Sequence, residues 1–213
     1  MKSQRDGRWK QTSIALGLIV LAALSRLLPH PPNFTPMMAI ALFGGTVLSS
    51  GWAYGIPLGA MALSDIALGF LNRDWTITFH PTLPVVYGCF AIGVALAQGF
   101  LRLKFRLSRL VAVVFASSFI FFIVTNFAVW LLTDWYPKTI EGLVACYVAA
   151  LPFYRNSLMA DIVYSGLLFG AYFSAARLFG YVPVPGWGHL SQGFTRLLPG
   201  DDESEHVRRQ QQL

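Results

Sequence analysis

Apolar residues run through this chain in blocks long enough to cross a bilayer, broken by short segments of proline, glycine and charge. A hydrocarbon core takes about 20 apolar residues as one helix. The first block runs roughly from Thr12 to Leu28 and stops at Pro29 and the Pro31-Pro32 pair. A second starts after Pro36 and ends near Ser49; a third covers Trp52 to Leu71 and contains Pro57. The fourth reaches from Leu83 to Leu101, the fifth from Leu110 to Leu132, and the last from Ser157 to Phe179. Gly142 to Phe153 is apolar but too short to span, and Pro137 and Pro152 bracket it, so it reads as a short re-entrant or interfacial helix between the fifth and sixth spans. The pattern predicts an all-α integral membrane protein with about six transmembrane helices over residues 12–180, an N-terminal segment 1–11 and a C-terminal tail 181–213. No internal repeat interrupts it.

Composition supports the same solvent. Only 12% of the 213 residues are charged and 55% are hydrophobic, whereas a soluble domain carries about 25% charged residues. The net charge of +6 does not point to nucleic acid, because the cations cluster between apolar runs rather than along one face. Lys2, Arg5, Arg8 and Lys10 precede the first block like the start of a signal peptide. No small-x-small cleavage site follows, and an uncleaved first helix is expected. The two cysteines, Cys89 and Cys146, sit in apolar runs and suggest no disulfide framework.

Cations set the expected orientation, since short cytoplasmic connections collect Lys and Arg. The N-terminal segment, the stretch from Arg102 to Arg109, and Arg196, Arg208 and Arg209 of the tail all fall on one side of a six-span chain. That side is expected to be the cytoplasm of a bacterial inner membrane, with both termini inside. The other end receives His30, Asn33, Trp75, His80, Tyr87, Tyr136, Arg155 and Asn156, with Asp65 and Asp161 inside or at the edge of spans.

An ionisable residue in a span is costly and marks a site or a pathway with a partner. Arg155 is the first candidate to balance one of the two aspartates and Arg26 the second; the alternative is a structural ion pair that locks helices. Prolines 29, 31, 32 and 36 stiffen the segment that presents His30 and Asn33. His80 sits among aromatics and offers an imidazole of the kind that ligates transition metals. No metalloprotease, nucleophile-elbow, Walker A or Cys-x-x-Cys pattern occurs, so if the chain is a transporter it is expected not to consume ATP itself. Small-x-x-x-small pairs at Ser13 and Gly17, Gly166 and Gly170, and Ala171 and Ala175 allow close helix approach, within the chain or to a partner.

The stretches Arg26-Leu27-Leu28-Pro29-His30-Pro31-Pro32-Asn33-Phe34-Thr35-Pro36, Ala41-Leu42-Phe43-Gly44-Gly45, Ser64-Asp65, His80-Pro81, Val86-Tyr87-Gly88 and Leu151-Pro152-Phe153-Tyr154-Arg155-Asn156 resemble a bacterial family described mainly as transport proteins. That family is similar in turn to the substrate-binding S components of energy-coupling factor (ECF) vitamin transporters, closest to the solitary cobalamin-binding BtuM type. The resemblance covers residues 12–180. It implies a six-helix bundle with a vitamin site near its outer face, roofed by the first, third and fifth loops, and His80 as an axial ligand to the cobalt of a bound corrinoid. BtuM-like proteins use a cysteine in this loop, where this chain has His80 and no thiol. The resemblance also implies docking to an ECF-type energising module through an Ala-x-x-x-Ala face, which Ala15, Ile19 and Ala23 interrupt.

These readings converge on a membrane protein that captures a small vitamin-like molecule, with cobalamin as the first candidate and no resident cofactor. The site would use His30, Asn33, Asp65, Trp75, His80, Tyr87, Tyr136, Arg155 and Asn156. Two rivals stand beside it: a membrane enzyme acting on a lipid or cofactor with Asp65 and His80 as acid and base, and a structural membrane protein.

Overall fold

The computed structural model describes residues 2–48, 51–76 and 78–179, with side chains from Trp9 onward. The expected tail 181–213, with Arg196, Arg208 and Arg209, lies outside the described residues. The described residues form six α-helices, α1 (Lys2–Ser25), α2 (Met37–Val47), α3 (Trp52–Asn72), α4 (Leu83–Leu96), α5 (Leu107–Leu132) and α6 (Ile140–Phe179), with a π-helical segment (Ala97–Arg102) continuing α4. Among the described residues there is no strand.

α3, α4 with its π-helical continuation, α5 and α6 are long and apolar enough to cross a membrane; the apolar part of α1 (Trp9–Ser25) and α2 are shorter. Large apolar side chains stand exposed around these helices, among them Leu63, Phe70, Ile92, Phe115, Phe119, Ile123 and Leu167. Lipid is the solvent that accepts them.

α2 organises the bundle. Every residue from Met37 to Thr46 is buried, and α2 packs against all five other helices. A helix apolar on all sides needs such enclosure, which explains how 11 residues, about 16 Å of helix, hold a central place. The Phe43 ring meets those of Phe169 and Tyr172 edge-on at 5.2 and 5.3 Å. Arg102 donates to the Leu48 carbonyl at 2.9 Å and ties the π-helical segment to the end of α2. At Gly45 a β-carbon would lie 2.7 Å from the Val94 carbonyl oxygen, so only glycine lets α2 and α4 approach this closely.

The glycines of the small-x-x-x-small pairs play no such part among the described residues. A β-carbon at Gly17, Gly166 or Gly170 would meet nothing within 4 Å. Ala15 and Ile19 of the interrupted alanine face are buried in the chain's own core.

The sequence expectation fails at α6. Instead of a short interfacial helix followed by a sixth span, one 40-residue helix runs through Pro152. The reason lies in α5, which packs alongside on both sides of the proline. Tyr147 donates to the Ile123 carbonyl at 2.8 Å, and the Phe122 ring lies 5.6 Å from Tyr147 and 4.6 Å from Tyr154. Neighbouring helices of this kind let a membrane helix tolerate proline. α1 likewise starts at Lys2 rather than near Thr12 and ends at Ser25, three residues before the expected stop.

Replacing Gly45 by alanine should push α2 from α4 and cost about 1–3 kcal/mol. Thermal unfolding of the detergent-solubilised protein measures this, and an unchanged melting temperature would contradict the packing.

Candidate functional site

α1, α3 and α4 bring the main polar cluster together at one end of the bundle. The last turn of α1 unwinds through backbone bonds from Arg26 to Ala23 and from Leu28 to Ser25, leaving Arg26 just past the helix. From there its guanidinium forms an ion pair with Asp65 and donates to Ser64 Oγ at 2.8 Å. Tyr87 of α4 donates its hydroxyl to Asp65 Oδ2 at 3.0 Å. Asp65 is 4% exposed, and a carboxylate at that depth stays charged only with partners of this kind. The partner of Asp65 is Arg26, the second candidate in the sequence; Arg155, the first, is exposed on α6 and makes no ion pair among the described residues.

Two loops close over this cluster. In the first, Asn33 adopts a left-handed backbone with φ 60°. Asn156 of α6 donates to the Pro32 carbonyl at 3.0 Å, and Ser157 donates to the Asn33 carbonyl at 3.3 Å. Two more contacts with α6 set the level: Ser25 of α1 donates to Tyr164 at 3.1 Å, and the ring of Phe34 in the loop lies 5.9 Å from that of Tyr164. The α5–α6 hairpin continues past this loop by about 24 Å, the helical rise from Ile140 to Asn156.

In the second loop, Thr78 donates to the Asp65 backbone carbonyl at 2.8 Å, and the Trp75 ring stacks with Phe79 at 6.1 Å. Gly69 of α3 makes room for it, since a β-carbon there would lie 2.6 Å from Thr78 Oγ1 and 3.0 Å from the Trp75 ring. Asp74 accepts from the Thr76 hydroxyl and N–H at 2.6 and 2.9 Å, and these bonds hold its carboxyl below the usual range.

The two histidines differ. His30 has the Pro31 and Arg26 carbonyls beside its two ring nitrogens, at 2.9 and 3.2 Å. His80 is half-buried and commits only Nδ1, to the Thr82 hydroxyl at 2.9 Å. Its Nε2 makes no hydrogen bond among the described residues, and an imidazole oriented through one nitrogen presents the other to a ligand. No group of three His, Cys, Asp or Glu side chains able to hold a metal ion exists among the described residues.

The structure thus joins Asp65 and Tyr87 directly and sets His30, Asn33, Trp75 and His80 in the adjoining loops. Tyr136, half-buried in the 133–139 turn, and Arg155 make no contact with Asp65 among the described residues. Sequence reasoning missed Ser64 and Thr78, which serve Asp65 and its partner. Ser64 had a readable signal, its adjacency to Asp65; Thr78 had none, because a loop fold brings it across 13 positions.

The apolar exposed spans and the buried ion pair define a helical membrane protein with a charged cluster at one end. The chain belongs to DUF6580, a family of unknown function, which it matches over residues 7–183. No curated protein and no solved structure matches it.

Replacing Arg26 alone by methionine strands the Asp65 charge and should cost about 3–5 kcal/mol, whereas Arg26→Met together with Asp65→Leu should cost less than either single change. Thermal unfolding of the three variants checks this; a double change as costly as the sum would contradict it.

Proposed function

We propose that this protein is a substrate-binding transport protein of the S-component kind, which captures a small vitamin-like molecule from the outer side of a bacterial inner membrane. The observation that carries the reading is the Arg26–Asp65–Tyr87 cluster, buried at one end of an apolar bundle between two loops. Ionisable residues are retained inside membrane bundles chiefly for function. The proline-stiffened loop 29–36 and the aromatic loop 75–81 would form the roof. The cation-rich end, with Lys10 and Arg102 to Arg109, would face the cytoplasm.

Cobalamin is the first ligand to try, because the resemblance to BtuM-like proteins and the free Nε2 of His80 point the same way. His80 would approach the cobalt axially, and Trp75, Tyr87 and Tyr136 would offer aromatic walls. An ECF-type module would have to dock away from Ala15 and Ile19, which the chain's own core occupies.

A second reading rests on the mutual saturation of the cluster: Asp65 takes Arg26 and Tyr87, and Arg26 also takes Ser64. These residues would then lock α1, α3 and α4 together without binding a ligand. The acid–base reading of Asp65 and His80 gains no such support, since the two share no hydrogen bond among the described residues.

Protein purified from cells fed cobalamin should carry a corrinoid visible spectrum, and His80→Ala should alter the bands that report axial ligation. A colourless protein that shows no cobalamin binding by calorimetry would reject this ligand. The charge-free Arg26→Met, Asp65→Leu pair separates the two broader readings: a folded protein with lost uptake supports a binding site, and a folded protein with unchanged uptake supports the lock.

A further inference from the structure

Asp161 stands apart from the cluster around Asp65. It lies on α6, 5% exposed, and forms no ion pair among the described residues. The groups that face it are neutral. α2 contributes Met38, α4 Phe90, α5 Ser118 and Phe121, and the outer loop Asn33 and Thr35. On α6 itself, Ser157 and Ser165 lie one turn to either side on the same face.

Two of these hydroxyls are unspent. Ser118 and Ser165 are each 2% exposed, and neither Oγ makes a hydrogen bond among the described residues. The Ser118 hydroxyl faces the Asp161 carboxyl across the α5–α6 interface. A buried hydroxyl without a partner has given up its hydration with no compensating bond, so this arrangement is out of place in a purely structural core. Beside the carboxyl lies a cavity of about 30 Å³ lined by Asn33, Thr35, Met38, Phe90, Phe121, Ser157 and Asp161. That is room for one or two waters or one small ion. Four of the seven lining side chains carry oxygen, the donor type that hard cations prefer.

We propose that Asp161, with Ser118 and Ser165 behind it and Asn33, Thr35 and Ser157 in front, forms a binding site for a single monovalent cation, a proton or a sodium ion. Charge balance is the physical reason. An ionised carboxylate at this depth in a membrane protein needs a positive partner, and the described residues supply none, in contrast to Asp65 with Arg26. A cation from solution fills that role, and the cavity beside the Pro32–Asn33 segment provides its place. The site concerns binding and stands independently of the transport reading.

The test uses the full chain in lipid nanodiscs, with sodium and protons as the probes. Saturable binding of radioactive sodium, weakened by acid, identifies the sodium ion as occupant. A carboxylic-acid infrared band that titrates with pH, with no sodium binding, identifies the proton. Either result supports the site when Asp161→Asn abolishes it. The proposal is overturned if the native protein shows neither response, or if Asp161→Asn retains it. Should Asp161→Asn fail to fold, Ser118→Ala with Ser165→Ala carries the test: a loss of sodium affinity or a shift of the proton midpoint by roughly tenfold is expected, and an unchanged response overturns the proposal.

Discussion

A carboxylate and a guanidinium hold each other in a place where neither charge could remain alone. Asp65 sits on α3, Arg26 just beyond α1, and Tyr87 on α4, so one ion pair and one hydrogen bond to the same carboxylate fix three helices at a common level. Removing charge from water is expensive, and only close pairing with further hydrogen bonds offsets it. Tyr87, Ser64 and Thr78 supply those bonds, to the carboxylate, the guanidinium and the Asp65 backbone respectively. The second loop takes its position from the same centre through Thr78, whereas Asn156 and Ser157 of α6 hold the first.

The enclosed α2 explains why the cluster lies below the tip of the bundle. A helix of 11 residues cannot match the length of α5 or α6, so the loop preceding it meets α6 at Asn156 and Ser157 rather than at its start. The α5–α6 hairpin stands beyond that loop. Polar residues of the loop thereby reach a depth where apolar side chains surround them, including Phe90 and Phe121.

Much of this was legible in the sequence, for physical reasons. Apolar blocks reveal α2, α3, α4 and α5 to within a few residues, because lipid and core both demand continuous apolar helix. Asp65 was legible as an intramembrane charge, and Arg26 as a reserve partner. Pro152 misled: read locally, it ends a helix, and only the packing of Tyr147 and Tyr154 on α5 carries the helix through it. Arg155 misled in a similar way, since proximity to a span end says nothing about which helix faces Asp65. The glycines at 17, 166 and 170 matched a packing motif, while the close approach was made at Gly45. Pairings between distant segments, such as Thr78 with Asp65 or Asn156 with Pro32, leave no mark on a single sequence.

The central claim is that the charged cluster serves a ligand and does more than bind helices together. Native mass spectrometry of the protein released from its own membranes tests this most directly, comparing the natural chain with the charge-free Arg26→Met, Asp65→Leu pair. A small molecule retained by the natural chain and absent from the folded pair is the expected result. A natural chain that carries nothing, or a folded pair that retains the same molecule, would contradict the claim.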